Sequence, residues 1–405
     1  MMVAMTPRTK MVGLAKSAGQ SALSLSFNLG GMLAGTLLAI HLDIFSLAPW
    51  ALALFPGILS IRGAIGGLHC GRLSTALHIG TVEASYTKNT KNFYLILYAV
   101  VVLTLGCSIM MGLATSLLGV FLWRITIIDF AAVLVVVIAT MGISVAFISP
   151  ITIGVSILSF KHGLDPDVTV YPVISTVADI IVTACYFMVL DTYFLLTPLG
   201  SYLIGLISFI FSLIAFYILF KNSGEIEFSK TINEFLRILI LVVFIVNVTG
   251  LILGKINQIV GSRPEIYIVY PALIDTVGDV GSIIGSTATT KLALGLIEPD
   301  LSSIKQHLTE IGGAWMASMV MFTIYSLTSF FTQVATATSG FVGLLTQLLT
   351  TNILAVSLIV VVAYAVAILA YRRGWDPDNF VIPLESSMAD IVTTVSLFVA
   401  LTVIA

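Results

Sequence analysis

One segment of the chain occurs twice. Asp165-Pro-Asp-Val-Thr-Val-Tyr-Pro172-Val-Ile-Ser-Thr-Val-Ala-Asp179 aligns without a gap with Asp376-Pro-Asp-Asn-Phe-Val-Ile-Pro383-Leu-Glu-Ser-Ser-Met-Ala-Asp390. Each copy passes from a polar loop into an apolar run that still carries a carboxylate. Asp390 follows Asp376 by fourteen positions, about 21 Å if the stretch is helical. The Asp-Pro-Asp pair therefore belongs at the mouth of a span and the later Asp well inside it. A charge at the centre of a bilayer costs about 2.5 kcal/mol or more and marks ion pathways or proton relays. Two equivalent spans with one such charge each point to two halves that share one site.

Composition decides that these runs are membrane spans. The chain has 405 residues, 58% hydrophobic and 9% charged, against about 25% charged in soluble domains. It is an all-α polytopic membrane protein, embedded in a lipid bilayer. A net charge of −2 gives no basic surface for nucleic acid. Cys70, Cys107 and Cys185 lie in apolar stretches, with neither metal spacing nor a disulfide framework, and read as buried small hydrophobes. The basic N-terminus (Arg8, Lys10, Lys16) precedes an apolar run with no clear cleavage site, so the first span reads as retained.

At about 20 apolar residues per span, the chain divides into eleven transmembrane helices. They are expected near 22–41, 50–82, 93–119, 131–158, 168–190, 198–220, 235–254, 266–296, 313–334, 342–370 and 380–402. The second and eighth are long and rich in glycine and polar residues. They are expected to be broken helices, whose exposed carbonyls would be tolerated where they line a cavity. Lys and Arg concentrate in alternate loops, which places the N-terminus and both Asp-Pro-Asp loops in the cytosol and the C-terminus outside the cell membrane.

The repeat extends beyond one helix. Pro56-Gly-Ile-Leu-Ser-Ile-Arg-Gly63-Ala-Ile-Gly66 aligns with Pro271-Ala-Leu-Ile-Asp-Thr-Val-Gly278-Asp-Val-Gly281, and Ser74, Leu77, Gly80 and Glu83 fall on Thr289, Leu292, Gly295 and Glu298. Spans one to five thus recur as spans seven to eleven. Five is odd, so the sixth span acts as a linker helix that makes the two five-helix repeats parallel, as in transporters built from parallel repeats. The expected domains are 20–192, a linker helix and loop at 193–231, and 232–405.

The carboxylates are the candidate chemistry. Asp179 and Asp390 come first: paired carboxylates in a wet passage suit a hard divalent cation, above all Mg²⁺, which keeps its waters and takes one or two carboxylates. The bland alternative is a bond from each Asp to a hydroxyl or Lys on a neighbouring helix. Asp275 and Asp279 are four apart, hence on one face of a helix. Their counterparts are Ser60 and Ala64, and Glu385 replaces Ile174, so the second half is acidic where the first carries Arg62, His69 and Arg72. Pairing of Asp275 and Asp279 with Lys291, Arg62 or Arg72 is the structural alternative. Asp165 and Asp376, with Asp167 and Asp378, also read as ordinary acidic residues at a helix start. His41, His69, His78 and His162 show no ligand spacing.

These residues resemble the MgtE-type magnesium transporters. The likeness is carried by Arg62-Gly63…Arg72-Leu-Ser-Thr75, by Gly163-Leu-Asp165-Pro, and by the two Asp-Pro…Pro…Asp spans. The arrangement of five, one and five spans resembles the solute-carrier divalent cation transporters, which fuse two MgtE-like units. The resemblance implies that Asp179 and Asp390 bind Mg²⁺ in a pore between two pseudo-symmetric halves, with Asp165 and Asp376 at its cytosolic mouth. It implies a transported ion rather than a resident cofactor, no enzymatic activity, and a pore that one chain can form, higher oligomers remaining open. Gly63-Ala64 and Gly278-Asp279 depart from the family's Gly-Asn, and the cytosolic sensor domains of bacterial MgtE are missing. A channel and a Na⁺- or H⁺-coupled exchanger both fit, as do Mn²⁺, Co²⁺ or Ca²⁺ in place of Mg²⁺. A structural scaffold would leave the paired intramembrane charges unexplained. An intramembrane aspartyl protease is remote: Thr276 stands where its Gly-x-Gly-Asp motif requires glycine.

Overall fold

The molecule is described by a computed structural model of residues 7–86, 88–162, 166–261, 263–332, 340–374 and 377–404, with the backbone alone for 7–13, 16, 166–173, 293 and 377–383. Asp165 and Asp376 lie outside the described residues. All regular structure among the described residues is helical. Helix α1 (Pro7–Ser26) passes through a 3-10 turn, Phe27–Gly30, into α2 (Gly31–Ile40), and a short α3 (Leu42–Leu47) leads to α4 (Pro49–Ile79). Then come α5 (Lys91–Leu122), α6 (Ile127–Lys161), α7 (Pro166–Leu195) and α8 (Leu199–Asn222). The second half brings α9 (Ile226–Val260), α10 (Pro264–Ala293), a 3-10 turn at Leu301–His307, α11 (Leu308–Thr332), α12 (Phe341–Arg373) and α13 (Pro377–Val403).

Among the described residues eleven stretches are long and apolar enough to cross a membrane, and as helices they satisfy their own backbone hydrogen bonds there. The ends obey local chemistry. Pro49 and Pro264 sit in the first turns of α4 and α10, where no N–H is needed. Thr126 and Asp129 close a reciprocal capping box at the start of α6, with Asp129 Oδ2 accepting from the Thr126 N–H at 2.8 Å. Cys70, Cys107 and Cys185 are buried and unbridged.

The expected breaks in the second and eighth spans are absent: α4 and α10 are each one continuous helix, with Pro56 and Pro271 inside. An internal proline deletes one backbone bond and need not end a helix that neighbours hold in place. These two helices are so held. They are the most enclosed of the spans, with 89% and 72% of their apolar stretches buried. The interruption falls in the first span, at Phe27–Gly30.

By contacts the chain divides into two compact units. A continuous unit holds Ile40–Gly254; a split unit joins Met1–Ala39 to Lys255–Ala405. The split unit therefore takes its first span from the first half of the sequence, and most of α9 belongs to the continuous unit. The exchange is reciprocal. In the register that sets Pro56 on Pro271, Gly35 falls on Gly250 and Ala53 on Ile268. In the split unit a Cβ on Gly35 would collide with the Ile268 carbonyl of α10. In the continuous unit a Cβ on Gly250 would collide with the Ala53 carbonyl of α4. Both crossings let two backbones meet where only a glycine fits, the small-residue packing typical of membrane helices. Further contacts fix the exchanged helices. Thr115 of α5 donates to Asn247 Oδ1 of α9 at 2.7 Å, and α1 packs along α11.

Candidate cation site

In the split unit the acidic residues gather around α10. Asp275 and Asp279 lie one turn apart on it, both partly buried. The 3-10 turn in the first span aims Asn28 at this turn: its Nδ2 donates to Asp279 Oδ2 at 2.8 Å and lies 3.4 Å from Thr276 Oγ1. Thr276 in turn shares a hydrogen bond of 2.8 Å with the Tyr325 hydroxyl of α11. Gly31 brings the same turn close to Asp275: a Cβ there would lie 3.4 Å from Asp275 Oδ2.

Helix α13 supplies the third and fourth carboxylates. Glu385 is only 3% exposed and lies over two glycines of α10. A Cβ on Gly281 would come within 2.5 Å of Glu385 Oε1, and one on Gly285 within 3.1 Å of Oε2. The glycines thus form a trough that admits the carboxyl group. Glu385 Oε1 has no hydrogen-bond partner among the described residues, and Glu385 and Asp279 are near enough to interact electrostatically. Asp390 is also buried. One turn on, Thr394 donates to the Asp390 carbonyl at 2.6 Å and meets the Tyr270 hydroxyl of α10 at 2.9 Å, which ties α13 to α10.

The continuous unit answers its carboxylate differently. Asp179 of α7 and Arg62 of α4 are both buried and form an ion pair, Nη2 to Oδ1. Nη1 of Arg62 lies 3.5 Å from Ser175 Oγ, one turn before Asp179. A cavity of about 30 Å³ beside Arg62 is lined by Gly66, His69, Thr104, Ser144, Ser149 and Thr152 among others. The positions equivalent to Asp275, Asp279 and Glu385 are Ser60, Ala64 and Ile174, all buried.

The structure thus brings Asp275, Asp279, Glu385 and Asp390 onto two packed helices of one unit, and places Asp179 in the other against an arginine. Lys291, one of the alternative partners for Asp275 or Asp279, pairs with Glu310 at 2.9 Å. Among the described residues no three Asp, Glu, His or Cys side chains form a group that could hold a metal ion directly. Asn28 and Tyr325 are additions that the repeat does not mark. The one signal for Asn28 is an amide in a largely apolar span, two residues before a glycine pair.

A family model for the MgtE divalent cation transporters matches residues 55–189 and again 270–400. No individual curated protein and no solved structure matches the chain.

Proposed function

Because the chain belongs to the MgtE family of divalent cation transporters, we propose that it carries Mg²⁺ across the cell membrane and that Asp275, Asp279, Glu385 and Asp390 receive the ion. The observation that carries this reading is Glu385. A buried carboxylate is costly unless it is paired, and its Oε1 has no hydrogen-bond partner among the described residues. A passing cation would supply the missing partner and let the group ionise. Two or more carboxylates on two helices, without a closed cage, suit an ion that keeps part of its water shell and must leave again. Asn28 holds Asp279 toward the ion through its amide. Asp165 and Asp376 are assigned to the cytosolic mouth on the strength of the family resemblance. The basic loops support a cytosolic N-terminus and an external C-terminus.

The test is Mg²⁺ flux in proteoliposomes containing the full chain. A Mg²⁺ gradient alone is expected to drive uptake, and Glu385→Gln to reduce it at least tenfold, about 1.4 kcal/mol of lost stabilisation. Uptake that requires a Na⁺ or proton gradient would replace passive conduction with coupled exchange. Undiminished flux in Glu385→Gln and Asp279→Asn would remove the ion from this cluster.

A further inference from the structure

The two units treat the same place in opposite ways. In the split unit Val277 stands at the position of Arg62, and carboxylates stand at three surrounding positions. In the continuous unit Arg62 is present and the three carboxylates are replaced by Ser60, Ala64 and Ile174. The guanidinium reaches the corresponding trough: a Cβ on Gly66, the counterpart of Gly281, would lie 3.9 Å from Arg62 Nη1. Arg62 is 8% exposed and Asp179 1%. A guanidinium does not lose its proton in a protein, so this positive charge is permanent. It is also tethered, and a free ion must compete with a group whose local concentration never falls.

We propose that Arg62 is a tethered cation that fills the Asp179 position, so that no free divalent ion is held there. The charge of Asp179 is then answered inside the chain, and ion binding falls to the carboxylates of the split unit. That last clause rests on the proposed function; the assignment of Arg62 does not.

Mn²⁺, a paramagnetic divalent cation, counts the sites. Binding to the purified full chain in lipid nanodiscs is followed by loss of the free-ion paramagnetic resonance signal. Arg62→Met is expected to bind one more Mn²⁺ than the unaltered chain, and Arg62→Met/Asp179→Asn to return to the unaltered number. A folded Arg62→Met with no added site overturns the proposal. So does a double variant that binds one ion fewer than the unaltered chain, since Asp179 would then have held an ion despite Arg62. The double variant removes both charges together, so it decides the matter even where Arg62→Met does not fold. Glu385→Gln is measured in parallel. If it keeps the unaltered number of ions, the split-unit site fails, while the differences between the Arg62 variants and the unaltered chain stand unaffected.

Discussion

The split unit and the continuous unit share a scaffold and differ in charge. Each is crossed by a first span from the other half of the sequence, and each crossing is made at an equivalent glycine, Gly35 against Ile268 and Gly250 against Ala53. On that common frame, one unit buries Glu385 against a glycine trough beside Asp279, and the other buries Asp179 against Arg62. The lesson concerns low dielectric. A buried ionised carboxylate is costly without a counter-charge, and the two repeats surround theirs differently. One closes the charge within the protein. In the function proposed above, the other leaves it to a cation that comes and goes, which is what a transporter needs.

The comparison can be broken most sharply at the ion pair. Removing one partner of a buried pair typically costs about 3–5 kcal/mol, because the other charge stays buried and alone. Asp179→Asn is therefore expected to lower the thermal midpoint of the detergent-solubilised protein severely. Arg62→Met/Asp179→Asn should recover most of that loss. A mild effect of Asp179→Asn alone would mean that the pair contributes little and that the contrast between units is not one of charge closure.

The next expected effect lies in the first span. Asn28 donates to a carboxylate, and such bonds contribute about 1.5–3 kcal/mol. In the continuous unit the same register holds the buried Val243. Asn28→Val should therefore raise the Mg²⁺ concentration for half-maximal flux by about tenfold or more, with the protein still reaching the membrane. Unchanged flux would make Asn28 a packing residue like its counterpart.

A further effect should fall on the shared scaffold and should be equal in both units. Gly35→Ala and Gly250→Ala each force a methyl group against a backbone carbonyl that cannot swing aside, an overpacking that costs about 3 kcal/mol or more. Matched losses in melting temperature would sharpen the view that the units are structural equivalents with unlike chemistry. A loss in only one would show that the equivalence ends at the backbone.

Much of this architecture was legible in the sequence, for a physical reason. Span length, apolar runs, the duplicated Asp-Pro…Pro…Asp segment and the i, i+4 spacing of Asp275 and Asp279 are properties of short stretches, and bilayer thickness and helix period act on them locally. The same holds for the acidic character of the second half against Arg62 in the first. What tertiary structure alone decided is which group meets which. Arg62 and Asp179 are 117 residues apart, and Asn28 and Asp279 are 251 apart. No periodicity links such distant positions, and the repeat itself suggested that Asp179 and Asp390 are alike. The continuity of α4 and α10 was also hidden, because proline and glycine weaken a helix locally while the burial that holds these two together is not a local quantity. The exchange of first spans was hidden for the same reason: a glycine permits a close crossing, but only the packed fold selects the backbone it crosses.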